Sequence, residues 1–290
     1  MMSPNLYDDK ITSSHREKID PLEQLEIELL LEALYRHYGF DFRDYVLASI
    51  RRRIWHRNDA EKLLTISGLQ EKILHDRSTM KRLIADFSIN VTEMFRDPSF
   101  FLAFRTNIVP LLQDYACIRI WHAGCSTGEE VYSMAILMYE EGLHHKTRYY
   151  ATDMDADIIE EAKRRAFLLD KLPAYSHNYA QSGGRRSFSD YYSIENDRAV
   201  LHPFLADSIV FAQHNLAVDQ SFNEFHVIIC RNVMIYFNKA LQNRVHTLFH
   251  ESLCLSGFLG LGHKESIAYT SHSALYKEMD ANEKLYRKIK

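Results

Sequence analysis

The stretch Ala123-Gly124-Cys125-Ser126-Thr127-Gly128-Glu129-Glu130 sets two glycines four residues apart and follows them with two carboxylates. Gly124 and Gly128 let backbone come close to a ligand. A helix opening behind them offers unpaired N–H groups. The spacing is not G-x-G-x-x-G, and it is not a P-loop because no Gly-Lys-Ser/Thr follows. Two acids at a helix start repel a pyrophosphate, but they can accept hydrogen bonds from an ammonium group. S-adenosylmethionine (SAM) carries an ammonium and a sulfonium and no phosphate, so it suits this pattern better than NAD or ATP. Asp153 stands 25 residues after Gly128. At a strand end its carboxylate can accept both ribose hydroxyls, as acids do in nucleoside-binding α/β folds. The competing role is a helix N-cap, because Asp153-Met154-Asp155 precedes a helical run.

These residues need elements to hold them. Residues 117–121 are short, apolar and β-prone, residues 129–141 are helix-like, and residues 147–152 read as the next strand. Strand, turn, helix, strand is a βαβ unit, which implies a parallel sheet with right-handed crossover. Further strands are expected at 208–213, at Phe225–Cys230 as a buried central strand, and at 256–262. The fold class is therefore α/β, doubly wound. Between 170 and 207 the pattern breaks. Segments 188–194 and 199–205 flank the polar turn Glu195-Asn196-Asp197-Arg198 and predict an inserted antiparallel hairpin.

Upstream the chain is helical. Asp20 can cap a helix, Pro21 suits its first position, Glu23 can close a capping box, and Gly39 stops it. Leu22, Leu25, Leu29, Leu30, Leu34 and Tyr38 fall at helical spacing. A second helix is expected over 42–57, with Val46, Ile50 and Ile54 buried and Arg51, Arg52, Arg53 and Arg57 around them. From charge alone that run is a solvated face; a docking surface for an acidic partner is the alternative. More helix is expected over 60–89. The organisation expected is a disordered tail at 1–19, a helical domain at 20–89 and a ligand-binding α/β domain at 90–290, interrupted by the insertion near 170–207.

With 290 residues, 46% hydrophobic, the chain can bury a core that needs no disulfide or metal staples. Only 10 glycines and 6 prolines exclude collagen-like and low-complexity classes. A net charge of −4 disfavours a uniformly basic nucleic-acid binder. Cys117, Cys125, Cys230 and Cys254 form no CxxC and read as reduced thiols, so a cytoplasmic location is expected. No signal pattern or membrane-length apolar run is present in the sequence. The histidines, His144-His145 included, lack metal-site spacing, so no metal is expected.

Four blocks, Asn90-Val91-Thr92-Glu93-Met94-Phe95-Arg96, Trp121-His122-Ala123-Gly124-Cys125-Ser126-Thr127-Gly128-Glu129-Glu130, Ala151-Thr152-Asp153-Met154-Asp155 and Cys230-Arg231-Asn232-Val233-Met234-Ile235-Tyr236-Phe237, resemble in content and order the signature blocks of the CheR family. These are chemotaxis receptor methyltransferases, SAM-dependent enzymes that esterify protein glutamates and release S-adenosylhomocysteine. The resemblance spans roughly residues 20–290. It implies a Rossmann-like SAM-dependent methyltransferase domain, a small N-terminal helical domain and an inserted antiparallel β-subdomain. By motif position it implies that Asn90, Thr92 and Arg96 line the SAM site, Glu130 holds the methionine end and Asp153 the ribose. Asn215 and Leu216 would contact the adenosine, Arg231 and Asn232 would close the pocket, and Tyr236 would lie beside the transferring methyl. Arg96 and Tyr236 are the expected catalytic residues. By spacing alone Tyr236 reads as core. The implied partner is the cytoplasmic helical region of methyl-accepting receptors, which favours a docking role for Arg51, Arg53 and Arg57. In some relatives a receptor C-terminal peptide binds the inserted subdomain, and segment 188–194 could offer the open edge that strand addition needs. Met94, His122 and Lys264 depart from the residues usual in the family. The alternative is a non-catalytic, SAM-responsive signalling scaffold of the same fold.

Overall fold

A computed structural model describes residues 20–88, 91–268 and 270–290, and the statements below concern these residues. The expected tail at 1–19 and Asn90 lie outside them.

The amino-terminal part packs α1 (Pro21–Tyr38), α2 (Leu47–Ala60), α3 (Ile66–His75) and α4 (Arg77–Phe87) around one apolar core. Ile27, Leu30 and Leu34 of α1 meet Ile50 and Ile54 of α2, Leu69 and Ile73 of α3, and Leu83 and Phe87 of α4. Each such side chain contributes about 1.5–3 kcal/mol on burial. Pro21 opens α1, and Gly39, at φ 80°, ends it by donating its N–H to the Tyr35 carbonyl. Three local expectations fail. Asp20 makes no side-chain cap, and Glu23 accepts from Arg51 and Trp55 instead of closing a capping box. Leu22, Leu25 and Leu29 are exposed, because α1 is apolar on more than one face and packing chose the face of Ile27 and Leu34. Residues 42–46 are not helical, because Tyr45 pairs with Phe237 and the Val46 N–H donates to the Tyr236 carbonyl, so α2 begins only at Leu47.

The larger part follows α5 (Pro98–Asn107) and α6 (Val109–Leu112). It contains β1 (Ile118–Ala123), α7 (Glu129–Glu140), β2 (Thr147–Asp153), α8 (Ala156–Lys163), β3 (Ala166–Leu168), α9 (Leu172–Gln181), β4 (Tyr192–Glu195), β5 (Arg198–Leu201), β6 (Ile209–Gln213), β7 (Phe225–Cys230), α10 (Lys239–Ser252), β8 (Leu253–Leu261), β9 (Tyr276–Asp280) and β10 (Leu285–Lys288). The main sheet runs β6-β2-β1-β7-β8-β10-β9. Pairing is parallel from β6 to β8 and antiparallel from β8 through β10 to β9. Alternation along β1 sends Ile118 and Ile120 into the core shared with α5 and α7, and Trp121 and Ala123 into the core shared with α10. The strand ends at Ala123, Asp153 and Cys230 therefore share one rim, where an open α/β sheet binds its ligands.

The inserted sheet has order β3-β5-β4 and is antiparallel. Asn196 and Asp197, at φ 47° and 59°, form the two-residue hairpin turn whose twist matches the strands. The arms are shorter than the sequence suggests, because Phe188–Tyr191 and Pro203–Leu205 wind into 3-10 turns, and Ala166–Leu168 joins the far side of β5.

Candidate active site

At the carboxyl rim a cleft of about 1110 Å³, its open mouth included, lies between the two parts. Among its lining residues are Thr92, Arg96, Glu130, Asp153, Asn215, Leu216, Arg231, Asn232 and Tyr236. The cleft thus brings together every described residue expected at the cofactor or the reacting centre; Asn90 lies outside the described residues.

The glycine turn is pinned to the neighbouring strand by bonds from Gly124 N and Cys125 N to the Thr152 carbonyl, 2.8 and 2.9 Å. Gly124 has φ +80°, and a Cβ there would stand 2.4 Å from Val233 Cγ2. Gly124 is therefore needed both for its conformation and for the close approach of the loop after β7. Ser126 N donates to Asp153 Oδ2 at 3.0 Å and Asp155 N to its Oδ1 at 3.2 Å. Asp155, not Asp153, caps α8 by accepting from Asp157 N. Asp153 is therefore free of the capping role and faces the cleft. Burial raises its pKa against the pull of these amides.

Glu129 and Glu130 open α7 side by side and separate completely. Glu129 is buried, accepting from Thr127 and Tyr175 on the side away from the cleft. Glu130 faces the cleft, with Oε1 2.9 Å from His122 Nδ1 and Oε2 3.2 Å from Arg231 Nη1. Burial opposes its ionisation, but the His122 hydrogen bond and the Arg231 charge outweigh it and hold its pKa below the usual carboxylate range. Arg231 also donates to Asp97 Oδ2 at 2.7 Å and to the Arg96 carbonyl at 3.0 Å, and lies 4.2 Å over the Phe100 ring. It works as a bolt between β7, α7 and the segment carrying Arg96. Arg96 donates to the Val91 carbonyl at 2.8 Å. Asn215 steadies its own loop by accepting from Ala217 N.

Several contributors were missed. Tyr45, Phe87 and Ser88 bring the helical part into the cleft wall, and no local signal announces them. Glu265, buried at 5% exposure, accepts from the backbone of Gly262, Asn232, Val233 and Met234 at 2.7–2.9 Å. It fixes the turn after β7, in which Asn232 adopts φ 62°. Burial raises its pKa while the four amides pull the other way. Cys125 and Cys230 are buried thiols whose pKa values burial pushes up, so neither is an activated nucleophile.

Arg51, Arg53 and Arg57 of α2 are placed otherwise than a docking face requires. Arg53 is 5% exposed and donates to the Phe87 carbonyl. Arg57 pairs with Asp86 and Glu61, and Arg51 with Glu23. Their charge is largely neutralised inside the domain, and Arg53 is withdrawn from any partner. Helix packing brings acids from α1 and α4 onto this face, which the α2 sequence alone does not reveal.

The donor set fits SAM. One carboxylate held ionised suits an ammonium, a second at a strand end suits vicinal hydroxyls, and among the described residues no cluster of unpaired cations faces the cleft for a phosphate. Comparison with known proteins agrees. Residues 90–285 match the family model described as CheR methyltransferase, SAM binding domain, and residues 25–88 match CheR methyltransferase, all-alpha domain. The chain is 47% identical over 264 residues to Cher3 of Pseudomonas putida, covering 91% of this chain and 97% of that one. It is 29% identical to a chemotaxis protein methyltransferase of Listeria monocytogenes, covering 80% and 86%, and 29% identical to one of Escherichia coli, covering 64% of each.

Proposed function

Because the chain belongs to the CheR methyltransferase family, with SAM as its cofactor, we propose that it methylates glutamate side-chain carboxylates in the helical cytoplasmic region of chemotaxis receptors. The observation that carries this reading is the convergence of Glu130, Asp153, Arg96 and Tyr236 on one cleft. SAM, when bound, supplies a methyl group activated by a sulfonium. The acceptor is already ionised near neutral pH, since free Glu titrates at ~4.3, so the chain needs no general base. Its tasks are alignment and exclusion of water. Good alignment can supply ~7 kcal/mol or more in favourable cases.

In this reading Glu130, steadied by Arg231 and His122, accepts from the ammonium, and Asp153 accepts from the ribose. Asn215 and Leu216 flank the adenosine, while Thr92 and Asn232 complete the wall with Asn90. Arg96 orients the acceptor carboxylate and the cofactor, and its bond to Val91 restrains it from closing a tight ion pair that would blunt the nucleophile. Tyr236 lies beside the reacting centre. β4, an edge of the inserted sheet, would take a receptor C-terminal peptide by strand addition.

The test is transfer of labelled methyl from SAM to receptor cytoplasmic fragments. Base-labile label on the receptor is expected, as a carboxyl ester requires. Arg96→Ala is expected to abolish most transfer; S-adenosylhomocysteine affinity within about threefold of wild type would assign Arg96 to the acceptor carboxylate, and a larger loss would assign it to the cofactor. Tight product binding with no transfer to any of the host's receptors would replace this reading with a non-catalytic scaffold.

A further inference from the structure

Tyr236 sits in a 3-10 turn of three residues, Met234–Tyr236, a poor anchor for a side chain at a reacting centre. Glu265 and Gln242 hold the backbone on either side of it, and further restraints come from the helical domain. The Tyr236 carbonyl accepts from Val46 N at 2.8 Å, and Tyr45 bridges to Phe237 with ring centres 4.9 Å apart. Farther along α2, the Arg53 guanidinium carbon lies 4.9 Å from the centre of the Tyr236 ring. Arg53 Nη1 is held by the Phe87 carbonyl at 2.5 Å, at the carboxyl end of α4, where a cation suits both an unpaired carbonyl and the helix dipole. Arg53 Nη2 is buried with no partner among the described residues. Arg53 is not among the residues lining the cleft. Burying an arginine with a donor unmet is unfavourable, and an apolar side chain would fill the space without that cost.

We propose that Arg53 is a positioning residue for Tyr236: a desolvated guanidinium plate that fixes the phenol ring from behind, through which the helical domain sets the geometry of methyl transfer. This rests on the reading of Tyr236 as a residue of the reacting centre. A cation–π contact strengthens as its groups leave water; here Arg53 is buried and Tyr236 half-buried. It differs from a docking charge in what it controls. Docking acts on receptor affinity and fades with salt, whereas positioning acts on turnover and does not.

The experiment compares Arg53→Met and Arg53→Lys in receptor methylation, alone and combined with Tyr236→Phe. Arg53→Met is expected to lower kcat roughly tenfold or more, with KM and salt dependence unchanged. Arg53→Lys, which keeps the cation, is expected to recover part of the loss and serves should the methionine variant fail to fold. In the Tyr236→Phe background the Arg53 loss is expected to shrink to within about twofold. An additive loss, or one carried by KM with a flatter salt dependence, overturns the proposal in favour of docking. A second readout needs no turnover. With 3-fluorotyrosine at position 236 and S-adenosylhomocysteine bound, the fluorine resonance is expected to shift or broaden in Arg53→Met; an unmoved resonance overturns the proposal. Wild-type protein that transfers no methyl would sink the assigned reaction, and the fluorine signal would still decide the role of Arg53.

Discussion

Consecutive residues on a helix point about 100° apart, and that rotation divides the labour of Glu129 and Glu130. One is locked behind the glycine turn by Thr127 and Tyr175, while the other is presented to the cofactor, braced by His122 and Arg231. Their neighbour Asp153 carries the opposite electrostatic bias. Its pKa is raised by burial, whereas that of Glu130 is lowered by its partners despite burial. Asp153 is therefore neutralised at a higher pH than an ordinary Asp, and Glu130 at a lower pH than an ordinary Glu. Glu130 stabilises the fold above the ordinary Glu range, and that contribution is lost as pH falls through its lowered value. Affinity for S-adenosylhomocysteine is expected to weaken as pH falls from neutral through the raised Asp153 pKa. Asp153→Asn is expected to weaken binding roughly tenfold at neutral pH and to remove that acid limb. Calorimetry across pH checks this; an unchanged limb in the Asn variant would assign it to another group. Asp153 and the acid pair opening α7 were legible from residue type and spacing, and the resemblance of its block singled out Glu130. Glu265 and Arg53 were not, because their roles are contacts with residues distant in sequence.

At the scale of elements, the site is two turns held against each other. The turn after β1 carries Gly124, and the turn after β7 carries Arg231 to Met234. They touch where a side chain on Gly124 would meet Val233. Glu265 governs the second turn by taking three of its amides and that of Gly262. Glu265→Ala leaves those donors buried and unmet, so a loss of about 3 kcal/mol or more is expected. The loss would appear in chemical denaturation, with weakened product binding beside it. A destabilisation below about 1 kcal/mol would mean that water replaces the carboxylate. The strands were readable because apolar, β-branched residues bounded by turn signals leave few alternatives. The faces of α1 and the start of α2 were not. Leu22 and Leu30 are chemically alike, and only the arrival of α3 selects between them; residues 42–46 yield helix to the pairing of Tyr45 with Phe237.

At the scale of the molecule, one cleft is walled by both parts. Tyr45, Phe87 and Ser88 come from the helical part, and the rest from the sheet rim and the segment before α5. Asn238 and Arg244 of the larger part clasp Asp44, Asn238 Nδ2 at 3.0 Å. Ligand binding should therefore stabilise both parts together. At a hundred times its Kd, a ligand contributes about 2.7 kcal/mol, several degrees of melting temperature for a chain of this size. S-adenosylhomocysteine is expected to raise the melting of Trp55, in α2, and of Trp121, in β1, by the same amount, and NAD to raise neither. Single-tryptophan variants followed by fluorescence separate the two. A shift confined to Trp121 would show that the helical part does not share the site's free energy.

The order of residues carries the parts of the fold whose information is local. It specified a glycine turn too open for a pyrophosphate fingerprint, acids placed for a cationic nucleoside, the parallel strands that end beside them, and four blocks sufficient to mark the family. Packing alone settled which face of α1 is buried, what locks Glu129 away behind the glycine turn, and that Arg51, Arg53 and Arg57 of α2 turn to acids, to a helix end and to the ring of Tyr236. The physical reason is one of range. Turn chemistry and strand periodicity are written in neighbouring residues. The partner of a charge or an aromatic face is chosen by the packing of elements tens or hundreds of residues apart, where many pairings are chemically equivalent until the chain closes on one.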